Sequence, residues 1–183
     1  MSRSDRRTAL LDRIADHLLV HGLEGASLRP LAAAAGTSDR MLLYYFADKD
    51  ELLAAAFEHI AARMTTLMNG SIYGRVRFGD LLAQVTAAVR GPELRPYMHL
   101  WLELAAAAAR GREPHRTVAG RIADGFLLWV RDRLRTETGA DSADEAASLL
   151  ALVDGVALLD AVGRSATADG AVRSKGGAGR EGC

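Results

Sequence analysis

Apolar residues recur along most of this chain at the spacing of the buried stripe of an amphipathic α-helix, as Leu11, Ile14 and Leu18 illustrate. No segment alternates apolar and polar residues in the manner of a β-strand. The chain is therefore predicted to be all-α. Glycines, prolines and capping residues place the predicted helices at about residues 5–21, 28–35, 38–46, 49–70, 78–90, 94–110, 114–138 and 143–163.

Residues 28–46 contain two short predicted helices joined by a tight turn at Gly36. Apolar residues at helical spacing end at this glycine, the residue type that most often follows a helix. Ser27 is predicted to cap the first helix, and Thr37 and Ser38 supply a hydroxyl that can cap the second. The segment therefore predicts a helix-turn-helix.

The second of these short helices carries a face that a protein core does not require. Leu42 and Phe46 are four residues apart and are expected to pack inward, while Arg40, Met41 and Tyr44 point away from them. A short helix with arginine and tyrosine on its outer face suits the major groove of DNA. The pattern indicates a DNA-binding helix.

The overall charge does not favour a nucleic-acid partner. The 23 basic and 23 acidic residues cancel, whereas a nucleic-acid-binding domain usually carries a basic patch. Only Arg29, Arg40 and Lys49 supply positive charge around the turn. A basic segment near the chain start is interpreted as a solvated arm in preference to a minor-groove contact: Arg3, Arg6 and Arg7.

Targeting and redox features favour a cytoplasmic protein. The one cysteine, Cys183, has no partner for an intrachain disulfide. The chain start is charged and lacks the apolar core of a signal peptide, and no run of about 18 apolar residues could span a membrane. We therefore expect no membrane association.

Signatures of catalysis are missing from the sequence. It contains no His-Glu-x-x-His, no glycine-rich phosphate loop after a strand and no Gly-x-Ser-x-Gly turn. The five histidines are scattered without the spacing of a metal site. We therefore expect no enzyme, no catalytic residues, no cofactor and no metal.

The arrangement resembles the TetR family of bacterial transcriptional regulators, most clearly over residues 9–53. The features that carry the resemblance are SLRPLAAAAGTS at 27–38, YYF at 44–46 and ADKDELL at 47–53. The resemblance implies a three-helix helix-turn-helix DNA-binding domain over 1–47 and a helical ligand-binding and dimerisation domain over 48–163. Residues 164–183 lack periodicity and are expected to form a disordered tail.

The resemblance also implies a homodimeric, ligand-responsive repressor that binds a palindromic double-stranded operator and is released by a small molecule. Phosphates would be met by Ser27, Thr37, Ser38, Tyr45 and Lys49. Arg29 and Arg40 would reach bases or phosphates, and Met41 and Tyr44 would touch base edges. Leu43 departs from the family, which commonly has a phosphate-binding tyrosine there. Alternatives stay open: Arg40 as a solvated residue, Tyr44 and Tyr45 as packing residues, and Lys49 as an ordinary helix-start residue.

The C-terminal helices hold most of the large residues that could line a ligand cavity. Methionine and aromatic residues with few polar groups suit an apolar or amphipathic ligand, although such residues are also typical of a core. The candidates are Phe57, Met64, Tyr97, Met98, Trp101, Phe126 and Trp129.

The last predicted helix is apolar on more than one face, so the last two long helices are expected to form the dimer interface. Asp154 and Asp160 on it would need partners, with Arg121 or Arg131 as candidates. A non-DNA-binding helical interaction module is the alternative to a regulator, since it would also explain the bundle and this last helix.

Overall fold

The computed structural model describes residues 2–135 and 142–177. This part of the chain folds into α1 (Arg3–His21), α2 (Leu28–Ala34), α3 (Asp39–Tyr45), α4 (Lys49–Ser71), α5 (Phe78–Arg90), α6 (Arg95–Ala109), α7 (His115–Arg133), α8 (Ser142–Ala161) and α9 (Ser165–Gly177), with a 3₁₀ turn at Gly22–Gly25. The one strand-like pairing in these residues is an isolated parallel bridge between Val76 and Leu134. The predicted all-α class is confirmed.

Helix α1 begins earlier than predicted because Ser2 caps it. The Ser2 hydroxyl accepts from the Asp5 amide at 3.1 Å, and the Asp5 carboxylate accepts from the Ser2 amide at 2.8 Å. This reciprocal pair satisfies two amide donors at the helix start, and the hydrogen bonds from Ser2 lower the pKa of Asp5. The prediction that the basic residues at the chain start form a solvated arm was therefore wrong, since Arg3, Arg6 and Arg7 belong to α1.

The chain divides into two compact units, one made of Met1–Thr65 with His99–Gly120 and the other of Thr66–Met98 with Arg121–Cys183. In the first unit α1, α2 and α3 bury a shared apolar core that includes Ile14, Leu31 and Leu42. The predicted domain boundary at residue 47 remains a prediction, because the first unit continues past it to Thr65.

The second unit is built on α5, α8 and α9, which pack on one another. Its core includes Leu81, Leu82 and Val85 of α5 with Leu149 and Val156 of α8, all of them buried. Helix α5 spans the predicted residues, because its apolar stripe and the Gly91-Pro92 stop are both strong local signals.

The prediction of a disordered tail was wrong for residues 165–177. Ala168 of α9 is fully buried, and a Cβ added at Gly79 would lie 2.9 Å from the Gly176 carbonyl oxygen. Arg90 of α5 donates to Asp160 at 2.7 Å and to Asp169 at 2.6 Å. Packing against α5 and α8 therefore stabilises this alanine- and glycine-rich helix. Residues 178–183, which include Cys183, lie outside the described residues.

The same ion pair corrects a second expectation. The partner of Asp160 is Arg90, and it is neither Arg121 nor Arg131. The hydrogen bond from Arg90 lowers the pKa of Asp160 below its ordinary value and raises that of Arg90.

A helix that spans a bilayer must be both long and apolar. None of the helices within residues 2–135 and 142–177 meets both conditions.

Candidate nucleic-acid interface

Helix α2 ends in a turn in which glycine adopts a left-handed backbone conformation. Gly36 adopts φ +66°, and the Thr37 amide donates to the Ala32 carbonyl at 2.9 Å. Arg13 of α1 donates from Nη1 to the Ala35 carbonyl at 3.1 Å, so it covers the free end of α2. A positive φ favours glycine, and a Cβ at this position would also lie 2.7 Å from the Arg13 guanidinium. The predicted turn at Gly36 is confirmed.

The two serines that precede the short helices behave differently. Ser38 is the N-cap of α3, and its hydroxyl accepts from the Met41 amide at 3.3 Å. Ser27 is the N-cap of α2 by position, but its side chain makes no capping hydrogen bond. The predicted cap is therefore confirmed at Ser38 and wrong at Ser27.

Helix α3 has one buried and one open face. Leu42 is 0% exposed and Phe46, which follows the helix, is 1% exposed. Met41 and Tyr44 are 41% and 61% exposed, and Arg40 is also exposed. The orientation predicted from the four-residue spacing is confirmed, so the outer face is free to meet a partner.

All of the predicted DNA-contacting residues belong to the first unit. Thr37 and Tyr45 are half-buried. The exposed ones are Ser27, Arg29, Ser38, Arg40, Met41, Tyr44 and Lys49. Leu43, which stands where the family commonly has a tyrosine, is 44% exposed. Contact with DNA remains a prediction for each of these positions.

The start of α4 is held by two hydrogen bonds that involve Glu51. The Glu51 amide donates to Asp48 at 2.8 Å, and Glu51 accepts from the Ala47 amide at 2.6 Å. The predicted helix start at Lys49 is confirmed. Lys49 lies in the first turn, where the helix dipole disfavours a cation.

Arginines of α1 contact the end of α3. These contacts were not predicted from the sequence. Arg3 donates to the Tyr44 carbonyl at 3.3 Å, and its guanidinium carbon lies 5.2 Å from the Tyr44 ring centroid. Arg7 lies 4.6 Å from the Phe46 ring centroid and pairs with Glu51 at 3.3 Å. These contacts join residues far apart in the chain, so local periodicity carries no signal for them.

Side-chain contacts between α1 and α4 occupy two of the nearby carboxylates. Asp12 lies 2.7 Å from His59, and Asp16 lies 2.8 Å from Arg63. Two acidic groups that reduce the positive charge of the first unit therefore have partners away from the open face of α3.

His115, the first residue of α7, is a buried imidazole in the first unit. It is 7% exposed, its ring centroid lies 6.3 Å from that of Phe57, and its Nδ1 has no partner among the described residues. Burial lowers its pKa, and Arg112 adds to the shift. The shift favours the neutral form of the imidazole.

The predicted ligand-binding residues are divided between the two units. Phe57, Met64 and Trp101 belong to the first unit. Phe57 is buried, and the other two are half-buried. Phe57 is therefore a core residue of that unit, and ligand contact remains a prediction for all three.

The remaining candidates belong to the second unit: Tyr97, Met98, Phe126 and Trp129. Phe126 stacks on Trp129 with ring centroids 5.8 Å apart. The Trp129 indole donates to Asn69 at 2.8 Å, and the Arg133 guanidinium lies 4.2 Å from the Trp129 ring centroid. Tyr97, Met98 and Trp129 are buried, and ligand contact remains a prediction for all four residues.

A cavity of about 460 Å³ lies within the second unit, and none of the predicted ligand residues lines it. Helices α4 and α5 and the connection to α6 supply its walls. The lining residues are Leu67, Ser71, Ile72, Gln84, Ala87, Ala88, Gly91, Pro92, Glu93 and Leu94. Glu93 is the one charged residue among them, so the cavity is mostly apolar with a few polar groups.

These features define a helix-turn-helix protein with an exposed recognition helix and a separate helical unit. Residues 10–56 match the family described as bacterial regulatory proteins, tetR family. A curated relative, the HTH-type transcriptional regulator PksA of Bacillus subtilis (strain 168), is 28% identical over 146 residues, which are 77% of this chain and 71% of that protein.

Solved structures share the fold over nearly the whole chain. A TetR-family regulator from Rhodococcus sp. has a TM-score of 0.75 at 24% identity, over 92% of this chain and 95% of that chain. The regulator FadR from Bacillus subtilis, solved in complex with stearoyl-CoA, has a TM-score of 0.62 at 15% identity, over 90% and 95%. Residues 10–56 therefore match the DNA-binding domain of the tetR family, and the chain is a DNA-binding transcriptional regulator and no enzyme.

Proposed function

We propose that this regulator is a homodimeric repressor that binds a palindromic operator and leaves it when a small amphipathic molecule binds. The observation that carries the proposal is the open face of α3, because Tyr44 is 61% exposed while Leu42 of the same helix is 0% exposed. Exposed aromatic and basic side chains on a short, well-anchored helix suit insertion into a major groove. Such a protein acts in the cytoplasm, where bacterial DNA lies.

The proposed contacts follow from the position of each residue. Arg40, Met41 and Tyr44 lie on the open face and would reach base edges, with Arg40 able to pair with a guanine. Arg29 would meet bases or phosphates. Hydroxyls, lysine and free backbone amides suit phosphate binding. Phosphates would be bound by Ser27, Thr37, Ser38 and Lys49 at or next to the helix starts, and by Tyr45 at the end of α3.

A second copy of the chain is the proposed partner of α7 and α8. Leu128 of α7 and Leu158 of α8 are 61% and 55% exposed, and Val162, directly after α8, is 61% exposed. Large apolar side chains left open on two neighbouring elements of the chain are typical of an interface. A dimer would also supply the two recognition helices that a palindrome requires.

The proposed effector site is the cavity of the second unit. Its volume of about 460 Å³ is within the range of small-molecule sites. Glu93, Gln84 and Ser71 supply acceptor oxygens to an otherwise apolar lining, so we expect an amphipathic molecule whose polar end donates hydrogen bonds. Helix α4 carries lining residues near its end and Lys49 at its start, so a shift of this helix would couple effector to DNA.

Gel-shift titration against DNA from upstream of the protein's own gene tests operator binding. We expect a sequence-preferring complex that resists non-specific competitor. Arg40→Ala should cost about 1–3 kcal/mol and relax specificity at one base pair, while Arg116→Ala, exposed on α7, should preserve specificity. Absence of any sequence-preferring complex at low salt would contradict the operator proposal. Equal weakening on all sequences by Arg40→Ala would assign Arg40 to phosphate.

Sedimentation velocity tests the dimer independently of DNA. We expect Leu158→Asp to shift the protein towards monomer. Val20→Asp is the control, because Val20 is 76% exposed on α1, outside the proposed interface. A dimer that survives Leu158→Asp and Leu128→Asp would contradict the assignment of this face.

Thermal shift with n-octylamine and octanoate tests the effector site. We expect octylamine to raise the melting temperature and octanoate to do so less, because Glu93 repels a carboxylate. Ala88→Phe should fill the cavity and remove the response, whereas Ala83→Phe, exposed on the same helix and not part of the lining, should keep it. An equal response in both variants would place the effector elsewhere.

A further inference from the structure

The aromatic ring of Tyr44 is held on two sides although most of its surface is open. The Arg3 guanidinium lies over the ring at 5.2 Å. The Tyr45 ring meets it edge-on, with centroids 5.2 Å apart and an interplanar angle of 87°. Tyr44 is nevertheless 61% exposed. A ring that is fixed before binding loses little freedom when a partner arrives.

Arg3 is itself fixed by the start of α1. It is the first residue of the helix, directly after the Ser2 cap that bonds reciprocally with Asp5. Arg3 also donates from Nη2 to the Tyr44 carbonyl at 3.3 Å. One guanidinium therefore holds both the ring and the backbone at the end of α3, an arrangement that a planar fork allows and an ammonium does not.

The neighbouring arginines of α1 have different surroundings. Arg7 pairs with Glu51 and lies over the buried Phe46, so its contacts are structural. The side chain of Arg6 is exposed and has no hydrogen bond or ion pair within the described part of the chain. Arg6 therefore offers the same charge on the same turn without the contact to Tyr44.

We propose that Arg3 is a specificity-determining positioning residue that acts through Tyr44, setting the angle at which the tyrosine ring meets a base edge. The inference rests on the proposed contact of Tyr44 with DNA. The free energy of a cation–π interaction is large enough to change discrimination between base pairs by about three- to tenfold.

The test compares full-length variants on an operator selected from random DNA and on every single base-pair change within its half-site. The variants are Arg3→Ala, Arg3→Lys, Arg6→Ala, Tyr44→Ala and the Arg3→Ala/Tyr44→Ala double variant. We expect Arg3→Ala and Arg3→Lys to lose discrimination at the base pairs that Tyr44→Ala also affects. In the double variant the loss of discrimination should be less than the sum of the losses in the two single variants. Arg6→Ala should weaken binding to all sequences alike.

Fluorine NMR of the free protein labelled with 3-fluorotyrosine supplies a readout without DNA. The Tyr44 signal, assigned through Tyr44→Phe, should move in Arg3→Ala and stay in place in Arg6→Ala. An unmoved signal overturns the proposal even if the wild type binds no operator.

Three DNA results would also overturn it. In the first, Arg3→Ala weakens binding to all sequences alike, as Arg6→Ala does. In the second, the loss of discrimination in Arg3→Ala adds fully to the loss in Tyr44→Ala. In the third, Tyr44→Ala changes no base preference while the wild type still binds its operator. The last result removes the role of Tyr44 and leaves operator binding intact, so the two failures are distinguishable.

Discussion

Helices α3 and α9 are both short and both pack on other helices, but they are held in different ways. In α3 a fully buried Leu42 anchors a helix whose opposite side chains, including Tyr44, stay exposed. In α9 the fully buried side chain is Ala168, and the ion pair of Asp169 with Arg90 adds to it. A large apolar anchor leaves the rest of α3 free for a partner, whereas α9 depends on docking over much of its length.

The local sequence signals for the two helices also differ. Ser38 and Gly36 mark the start of α3 and the turn before it through local hydrogen bonds and a positive φ. Helix α9 contains glycines at 170 and 176, which weaken a helix interior. Residues near α3 therefore determine its limits, whereas α9 relies on its packing against α5 and α8.

The largest expected effect concerns the anchor of α3. Leu42→Ala should lower the free energy of unfolding by about 2–5 kcal/mol, because it opens a cavity in a fully buried site. Leu43→Ala, at a side chain that is 44% exposed, should change it by less than about 0.5 kcal/mol. Urea denaturation measures both. Equal effects would show that α3 has no single anchoring face.

The docking of α9 is tested at Arg90. Arg90→Ala should cost about 1–3 kcal/mol, the usual worth of hydrogen bonds to charged groups, and should speed amide exchange along α9. The control is Arg77→Ala, because Arg77 pairs with Asp80 on its own helix turn and is half exposed. Unchanged exchange in α9 after Arg90→Ala would show that apolar contacts alone dock the helix.

The same pair predicts a dependence on pH. The pKa of Asp160 is lowered in the folded protein by the hydrogen bond from Arg90. Its stabilisation is therefore complete above the ordinary carboxyl pKa and is lost as the pH falls through the lower folded value. Arg90→Ala should flatten the fall in the free energy of unfolding below about pH 4, as followed by urea titration at each pH.

Capping offers a matched pair with a smaller effect. Ser38→Ala should destabilise by about 1 kcal/mol, because the Met41 amide loses its acceptor. Ser27→Ala should be close to neutral, since Ser27 makes no capping hydrogen bond. Thermal unfolding of the two variants compares them directly, and a larger loss at Ser27 would contradict the assignment.

The smallest expected effect concerns His115. Burial lowers its pKa below the ordinary 6.5, so the unfolded chain binds more protons in the window just below that value, and stability falls there as the pH falls. The slope is at most about 1.4 kcal/mol per pH unit. His115→Phe should remove this contribution, and His99→Gln, at an exposed residue, should retain it. A slope unchanged in His115→Phe would contradict the assignment.

Much of the site could be predicted because its signals are local. The spacing of Leu42 and Phe46 determined which face of α3 is open, and Asp48 with Glu51 determined where α4 begins. The contact of Arg3 with Tyr44 could not be predicted, because it joins residues 41 positions apart. The aromatic ligand candidates were chosen by residue type alone, and residue type does not distinguish a packed core from the lining of a cavity.

The sequence by itself determined the helical class, the turn at Gly36 and the outward direction of Arg40, Met41 and Tyr44. Helical periodicity and caps act over a few residues, and those are the distances that a sequence displays directly. Only the tertiary structure decided that α9 forms, where the cavity lies and which arginine contacts Tyr44. Each of these depends on groups brought together from distant parts of the chain, and packing alone selects such partners.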